Sequence, residues 1–156
     1  MQKTQIDQQT KQETKNFGPV SNISPTYNFR FGIPGFENLQ KFVFQDLEKY
    51  PPFQLFKSQE QEDLSMLVLN AKYIRKLKDL SIPGHELEQI GSKNQDEIEI
   101  FVILRVDQAT KQFVANTKAP LIINLQNKLG NQIIIEGQDL ESAYPLEISN
   151  ENDNNE

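Results

Sequence analysis

The chain has 156 residues, of which 37% are hydrophobic and none is cysteine, and its formal net charge is −6. That length suits a single domain with a respectable core, and the lack of cysteine excludes a disulfide framework, thiolate chemistry and a cysteine-based metal site. No apolar run approaches the roughly 20 residues needed to cross a bilayer, and no secretory leader precedes the body, so a soluble, cytoplasmic protein with no membrane contact is expected.

Polarity is unevenly spread. Residues 1–13, MQKTQIDQQTKQE, are almost wholly polar, and from Ser149 onward the sequence has no apolar residue. Segments of this kind bury too little surface to offset their ordering entropy. Disorder is therefore expected at 1–13 and 147–156, with one folded domain over 14–146. Glu147, Glu151, Asp153 and Glu156 account for four of the six net negative charges, and residues 1–13 are neutral, so the body carries only −2. It has no basic stripe, and direct nucleic-acid binding is not expected.

Runs rich in β-branched and aromatic residues, bounded by turn formers, predict strands at Tyr27–Phe31, Phe42–Gln45, Phe53–Lys57, Leu64–Leu69, Glu97–Val106, Gln112–Ala115, Leu121–Leu125 and Gln132–Glu136. The run Glu97–Val106, EIEIFVILRV, alternates at first and is then continuously apolar, as in a strand half exposed at its start and covered on both faces later. Turns are expected at Asp107–Thr110 and Lys128–Asn131. Helical signal is thin: a turn at Leu77–Ser81, and a short helix over Gly84–Gly91 with Leu87 and Ile90 on one face and Gly91 as its stop. Helices so short are marginal alone and must dock on something. The pattern predicts a mainly β fold, a small antiparallel barrel or sandwich with one or two short helices.

Catalytic signals are weak. His85, the only histidine, neighbours Glu86 but lies in the first turn of the expected helix, where a solvent-facing role is the simpler reading. The clusters Glu60/Glu62/Asp63 and Asp96/Glu97/Glu99 lack the spacing of a calcium loop. Gly32-Ile33-Pro34-Gly35 has too few glycines to cradle phosphate, and its proline lacks an N–H. The phenylalanines recur at period two, as Phe29/Phe31, Phe42/Phe44 and Phe53/Leu55, which reads as core faces of adjoining strands. No enzymatic activity, cofactor or metal is expected.

Several stretches together resemble the family of the flagellar assembly factor FliW. Thr14-Lys15-Asn16-Phe17-Gly18 is like that family's opening, and Phe31-Gly32-Ile33-Pro34-Gly35-Phe36-Glu37 matches its glycine–proline–glycine signature. Pro52-Phe53-Gln54-Leu55-Phe56-Lys57-Ser58 resembles a family strand. Ala115-Asn116, Ala119-Pro120-Leu121-Ile122-Ile123-Asn124, Gln132-Ile133-Ile134-Ile135 and Tyr144 follow in the family's order. The resemblance covers Thr14 to Leu146. Thr117, Val114, Asn70-Ala71 and Pro145-Leu146 depart from the common pattern.

The resemblance implies a small β-barrel that binds the RNA-binding translational regulator CsrA and lifts its repression of flagellin mRNA. It also implies binding of newly made flagellin, which competes for the same protein, and a free form that is monomeric. Candidate partner-facing residues are Ile33, Pro34 and Phe36 at the glycine–proline turn, Glu60, Glu62 and Asp63 in an acidic loop, and Asn116, Pro120 and Asn124 toward the end. At the turn, anchoring of the barrel's end competes with direct contact as the reason for Ile33 and Phe36. The rival functions are a flagellin chaperone without CsrA binding and, in another class, a small-ligand barrel or hydrolase.

Overall fold

The computed structural model describes residues 20–146. Both tails expected to be disordered, 1–13 and 147–156, lie outside the described residues, as do positions 14–19 of the expected body. The centre of the fold is an antiparallel meander of β3 (Lys41–Leu47), β4 (Gln54–Ser58) and β5 (Ser65–Asn70), in which Phe44 faces Phe56 and Leu55 faces Leu67. Next to β5 runs the longest strand, β6 (Ile98–Val106). Along its other edge, Ile98–Phe101 pairs with β8 (Leu121–Asn124), while Leu104–Val106 pairs with β7 (Phe113–Ala115). From β8 the order runs through β9 (Leu129–Gln132) and β2 (Tyr27–Asn28) back to β3, so the strands close into a ring. The mainly β, barrel-like architecture expected from sequence is borne out. One pairing is parallel, Asn28 with Leu129. Three strands lie off the ring, β1 (Val20–Ile23) on β3, β7 on β6, and β10 (Tyr144–Pro145) on β7.

Strand side chains alternate between faces, and here both faces are buried. The inner set is aromatic: Phe29, Phe42, Phe44, Phe56 and Phe101 pack with Leu121 and Ile123. Phe42 stacks on Phe56, and Phe44 on Phe101, each with centroids 4.4 Å apart. The outer set, including Leu55, Leu67, Leu69, Val102, Leu104 and Ile122, is covered by residues 71–97 and by the returning segment 133–146. The unbroken apolar run in β6 follows from this double coverage.

Residues 71–97 form short elements. Two 3-10 turns, Ala71–Tyr73 and Arg75–Leu77, precede α1 (Gly84–Gln89) and a last 3-10 turn, Gln95–Glu97. The expected short helix is thus present. Its end is closed by Gly91 at φ +71°, with Gly91 N–H donating to Glu88 O and Ser92 N–H to Leu87 O, the bond pair of a Schellman stop. The turn of helix expected at Leu77–Ser81 falls earlier, in the two 3-10 turns that end at Leu77. Leu77, Leu80, Leu87 and Ile90 are all buried against the barrel's outside, which supplies the docking such short helices need.

Most other strand ends shift by one or two residues, β1 and β10 were not expected, and three differences have a structural reason. The strand expected at Tyr27–Phe31 ends at Asn28, and Phe31 is exposed rather than part of the core. Glu97 closes a 3-10 turn instead of opening β6. The last expected strand, Gln132–Glu136, is displaced: the reversal falls at 125–128, and Gly130 and Asn131 lie inside β9. Gly130 reads as a turn signal, but packing is what requires it. A Cβ there would lie 2.6 Å from the Phe29 ring. Ile133 and Ile135 are nonetheless buried, their N–H groups donating to Pro120 O and Lys118 O at 3.0 and 2.9 Å.

Candidate protein-binding surface

After Phe29 seats in the aromatic interior, the chain reverses: Gly32 N–H donates to Phe29 O at 2.8 Å. Gly32 has φ +65°, and a Cβ there would fall 2.5 Å from Phe36 O, so no other residue fits. Next comes Ile33-Pro34-Gly35-Phe36, with Phe36 N–H donating to Ile33 O at 2.8 Å and Gly35 at φ +88°. Proline second and a positive-φ glycine third make a type II turn. Ile33, 2% exposed, is packed into the aromatic interior, and half-buried Phe36 rests on it. Ile33 therefore anchors the turn. Pro34 stands at its exposed tip.

The acidic loop lies beside this turn. Ser58 Oγ accepts from Glu60 N–H and Gln61 N–H, both at 3.0 Å, which bends the chain after β4. Glu60 Oε1 accepts from Lys41 N–H at 2.9 Å and Gln40 N–H at 2.6 Å. These two backbone donors hold its carboxyl pKa below the ordinary glutamate value, since they favour the charged form. Gln40 also donates its side-chain amide to Arg30 O at 3.0 Å. Glu60 is thus a brace between the loop and the segment that carries the turn, while Glu62 and Asp63 are exposed.

One end of the barrel therefore gathers exposed apolar groups, Phe31 (61% exposed) and Pro34, with the carboxylates of Glu37, Glu60, Glu62 and Asp63. Arg30 and Lys41 are the cations of the same segments, and the Arg30 guanidinium lies 5.9 Å from the Phe31 ring centre. Sequence reasoning missed Phe31 and Glu37. The signal was available, because the Gly32 reversal takes Phe31 out of the strand's alternation.

The three remaining candidates act as braces, and Asn124 alone adjoins this end, its neighbour Leu129 pairing with Asn28 and its partner Ile90 following Gln89, whose carbonyl accepts from Arg30. Half-buried Asn116 accepts from Ala119 N–H at 3.1 Å, turning the chain between β7 and β8. Pro120 is buried, and its carbonyl accepts from Ile133 N–H. Asn124, also buried, donates to Ile90 O at 2.9 Å and accepts from Gln126 N–H at 2.9 Å, joining β8 to the end of α1. The departures noted in the sequence are accommodated similarly. Thr117 is fully buried, its hydroxyl donating to Glu141 O and accepting from Glu141 N–H, each at 2.9 Å. Asn70 caps the first 3-10 turn through Lys72 N–H and donates to Glu99 at 2.9 Å.

The His85 imidazole is exposed, 3.9 Å from the Glu86 carboxylate. Asn94 caps the turn containing Asp96, and Glu97 completes that capping box. Among the described residues no group of three or more His, Cys, Asp or Glu is placed to hold a metal ion. A surface groove of about 410 Å3 lies between the β3–β4 hairpin and the first 3-10 turn, lined by Leu47, Pro51, Pro52, Phe53, Lys72 and Tyr73 among others. Asp46 also lines it, but accepts from Gln54 at 2.7 Å. No described helix is long and apolar enough to cross a membrane.

Comparison with known proteins bears on the family and the fold. The family described as FliW protein matches residues 11–146. A flagellar assembly factor FliW of Clostridium botulinum (strain 657, type Ba4) is 36% identical over 120 residues, covering 76% of this chain and 82% of the relative. One from Clostridium tetani is 27% identical over 137 residues, covering 87% and 94%. A crystal structure of the flagellar assembly factor FliW superposes with a TM-score of 0.69 at 25% identity, covering 79% of this chain and 88% of that one.

Proposed function

Because the chain belongs to the FliW family of flagellar assembly factors, we propose that it acts in the cytoplasm by binding proteins, without turnover chemistry. It antagonises a CsrA-type translational regulator and so relieves repression of flagellin mRNA. Flagellin is its second partner and competes for it. The observation that carries this reading is the acidic and apolar end of the barrel, where Phe31 and Pro34 are exposed among Glu37, Glu60, Glu62 and Asp63. A regulator that grips RNA must display positive charge. Carboxylates steer such a partner and repel approaching phosphate, and the apolar groups supply contact area once it arrives. A barrel interior packed with stacked rings gives a rigid support for that end.

The test is a mixing experiment in which the chain is combined with a CsrA-type regulator, with flagellin, and with both. Co-elution with each alone, and displacement of one by the other, is the expected result. Co-elution with flagellin only would favour the chaperone function. Failure of both at micromolar concentration would remove the reading. The surface itself is tested by Glu62→Lys with Asp63→Lys, leaving Glu60 intact because it braces Gln40 and Lys41. Association with the regulator should slow about tenfold at low salt, with a flatter salt dependence.

A further inference from the structure

Residues 71–79, AKYIRKLKD, carry Lys72, Arg75, Lys76 and Lys78 against the single acid Asp79, a local cationic run in a body where no basic stripe was expected. The two 3-10 turns bury Ile74 and Leu77, which leaves Lys72, Arg75 and Lys78 exposed. Among the described residues none of these three has a carboxylate within 4.0 Å, the distance at which the three recorded ion pairs form. Lys76 differs. Its Nζ lies 3.4 Å from Asp139, 3.9 Å from Glu141 and 5.3 Å from the centre of the Tyr144 ring. It thereby fixes β10 beside the cationic 3-10 segment, and the chain passes Leu146 from that position. The next ten residues, EISNENDNNE, hold Glu147, Glu151, Asp153 and Glu156 and no cation.

We propose that the acidic segment 147–156 docks within the same chain on the cationic face of Lys72, Arg75 and Lys78, and shields that face from anionic partners. Reach is not limiting, since extended chain spans about 3.3 Å per residue. Exposed ion pairs are individually weak. A short tether, however, presents its carboxylates at millimolar effective concentration, so several weak pairs hold together. The contact is strongest at low ionic strength and loosens as salt screens it. This face is built on the barrel's outer layer, and the inference does not depend on the CsrA reading of the acidic end.

Zero-length carbodiimide cross-linking of the full chain, mapped by peptide mass spectrometry, tests the contact directly. Amide links from Lys72 or Lys78 to Glu147, Glu151 or Asp153 are expected within single chains, judged from mixed light and heavy isotope-labelled copies, and they should fade at high salt. A second measurement uses poly-L-glutamate as the anionic probe. Neutralising the segment (E147Q/E151Q/D153N/E156Q) should tighten probe binding about three- to tenfold at low salt, and the gain should vanish when K72E/R75E/K78E is added. Neutralising four acids elsewhere (E37Q/E62Q/D63N/E88Q) should change binding less than about twofold. Absence of the intrachain links, links only between copies, or an equal gain from the control acids would each overturn the proposal.

Discussion

Inside the ring, Phe42, Phe44 and Phe56 come from neighbouring strands and meet ring on ring, so strand pairing itself brings them together. Outside, Leu55, Val102 and Ile122 are covered by Ile74, Leu77, Ile90, Ile133 and Ile135, which come from segments with little regular structure. The ladder positions the first set. Polar side chains position the second: Asn70 and Asn94 cap 3-10 turns, Thr117 clasps Glu141, and Asn124 and Asn127 both donate to Ile90 O at 2.9 Å. An apolar layer can thus be held by hydrogen bonds made at its margins, provided every buried polar atom is paired. Among the described residues no buried side-chain nitrogen or oxygen lacks a partner.

Substitutions can break this contrast. The largest effect is expected at Phe56, fully buried and in contact with three other rings. Phe56→Ala should cost about 3–5 kcal/mol in a urea titration and lower the melting temperature of the whole domain. In the outer layer, Ile135→Ala should cost about 2 kcal/mol, since the covering segment can settle into the gap. Native-state hydrogen exchange should show that loss as faster local opening of the 133–146 segment, with the β3–β5 amides little changed. If both variants loosen all amides equally, the two layers are one cooperative unit.

Smaller changes sharpen the same comparison. Thr117→Val keeps the shape but leaves Glu141 N–H without its acceptor, for an expected loss of about 1–2 kcal/mol by denaturant titration. The smallest effect belongs to Glu60. Its carboxyl pKa is lower folded than unfolded, so the stabilisation is present above the ordinary glutamate pKa and is lost as pH falls through the folded value. Glu60→Gln should therefore lower the melting temperature slightly at neutral pH, and the gap from the unaltered chain should narrow as the pH falls below the ordinary glutamate pKa.

The aromatic layer was legible in the sequence because its signal is local: Phe42 and Phe44 alternate within one strand, and strand periodicity is read over a few residues. The outer layer was legible only in part. Leu87, Ile90 and Gly91 announced a docked helix, but what it docks on is decided by β6 and β8, with which it shares no pattern. Gly130 misled because a glycine demanded by the Phe29 ring looks the same in sequence as one demanded by a turn. At the candidate surface, the motif at 31–37 and the acid loop were visible. The bond from Glu60 to Gln40 that joins them spans 20 residues and follows no period. Asn116, Pro120 and Asn124 stood out for a different reason, since braces and contacts use the same polar residues.

The ring closes only when β8 has paired with the first half of β6 and β9 has reached Asn28. Those partners are translated after β6 itself. A polypeptide emerging from the ribosome as far as Val106 can assemble the β3–β6 meander, yet that curved sheet leaves the Phe29, Phe42 and Phe101 rings uncovered where Leu121, Ile123 and Gly130 belong. Completion waits for Gln132, so a prematurely terminated product is an open trough with sticky aromatic walls, a natural substrate for chaperones and proteases.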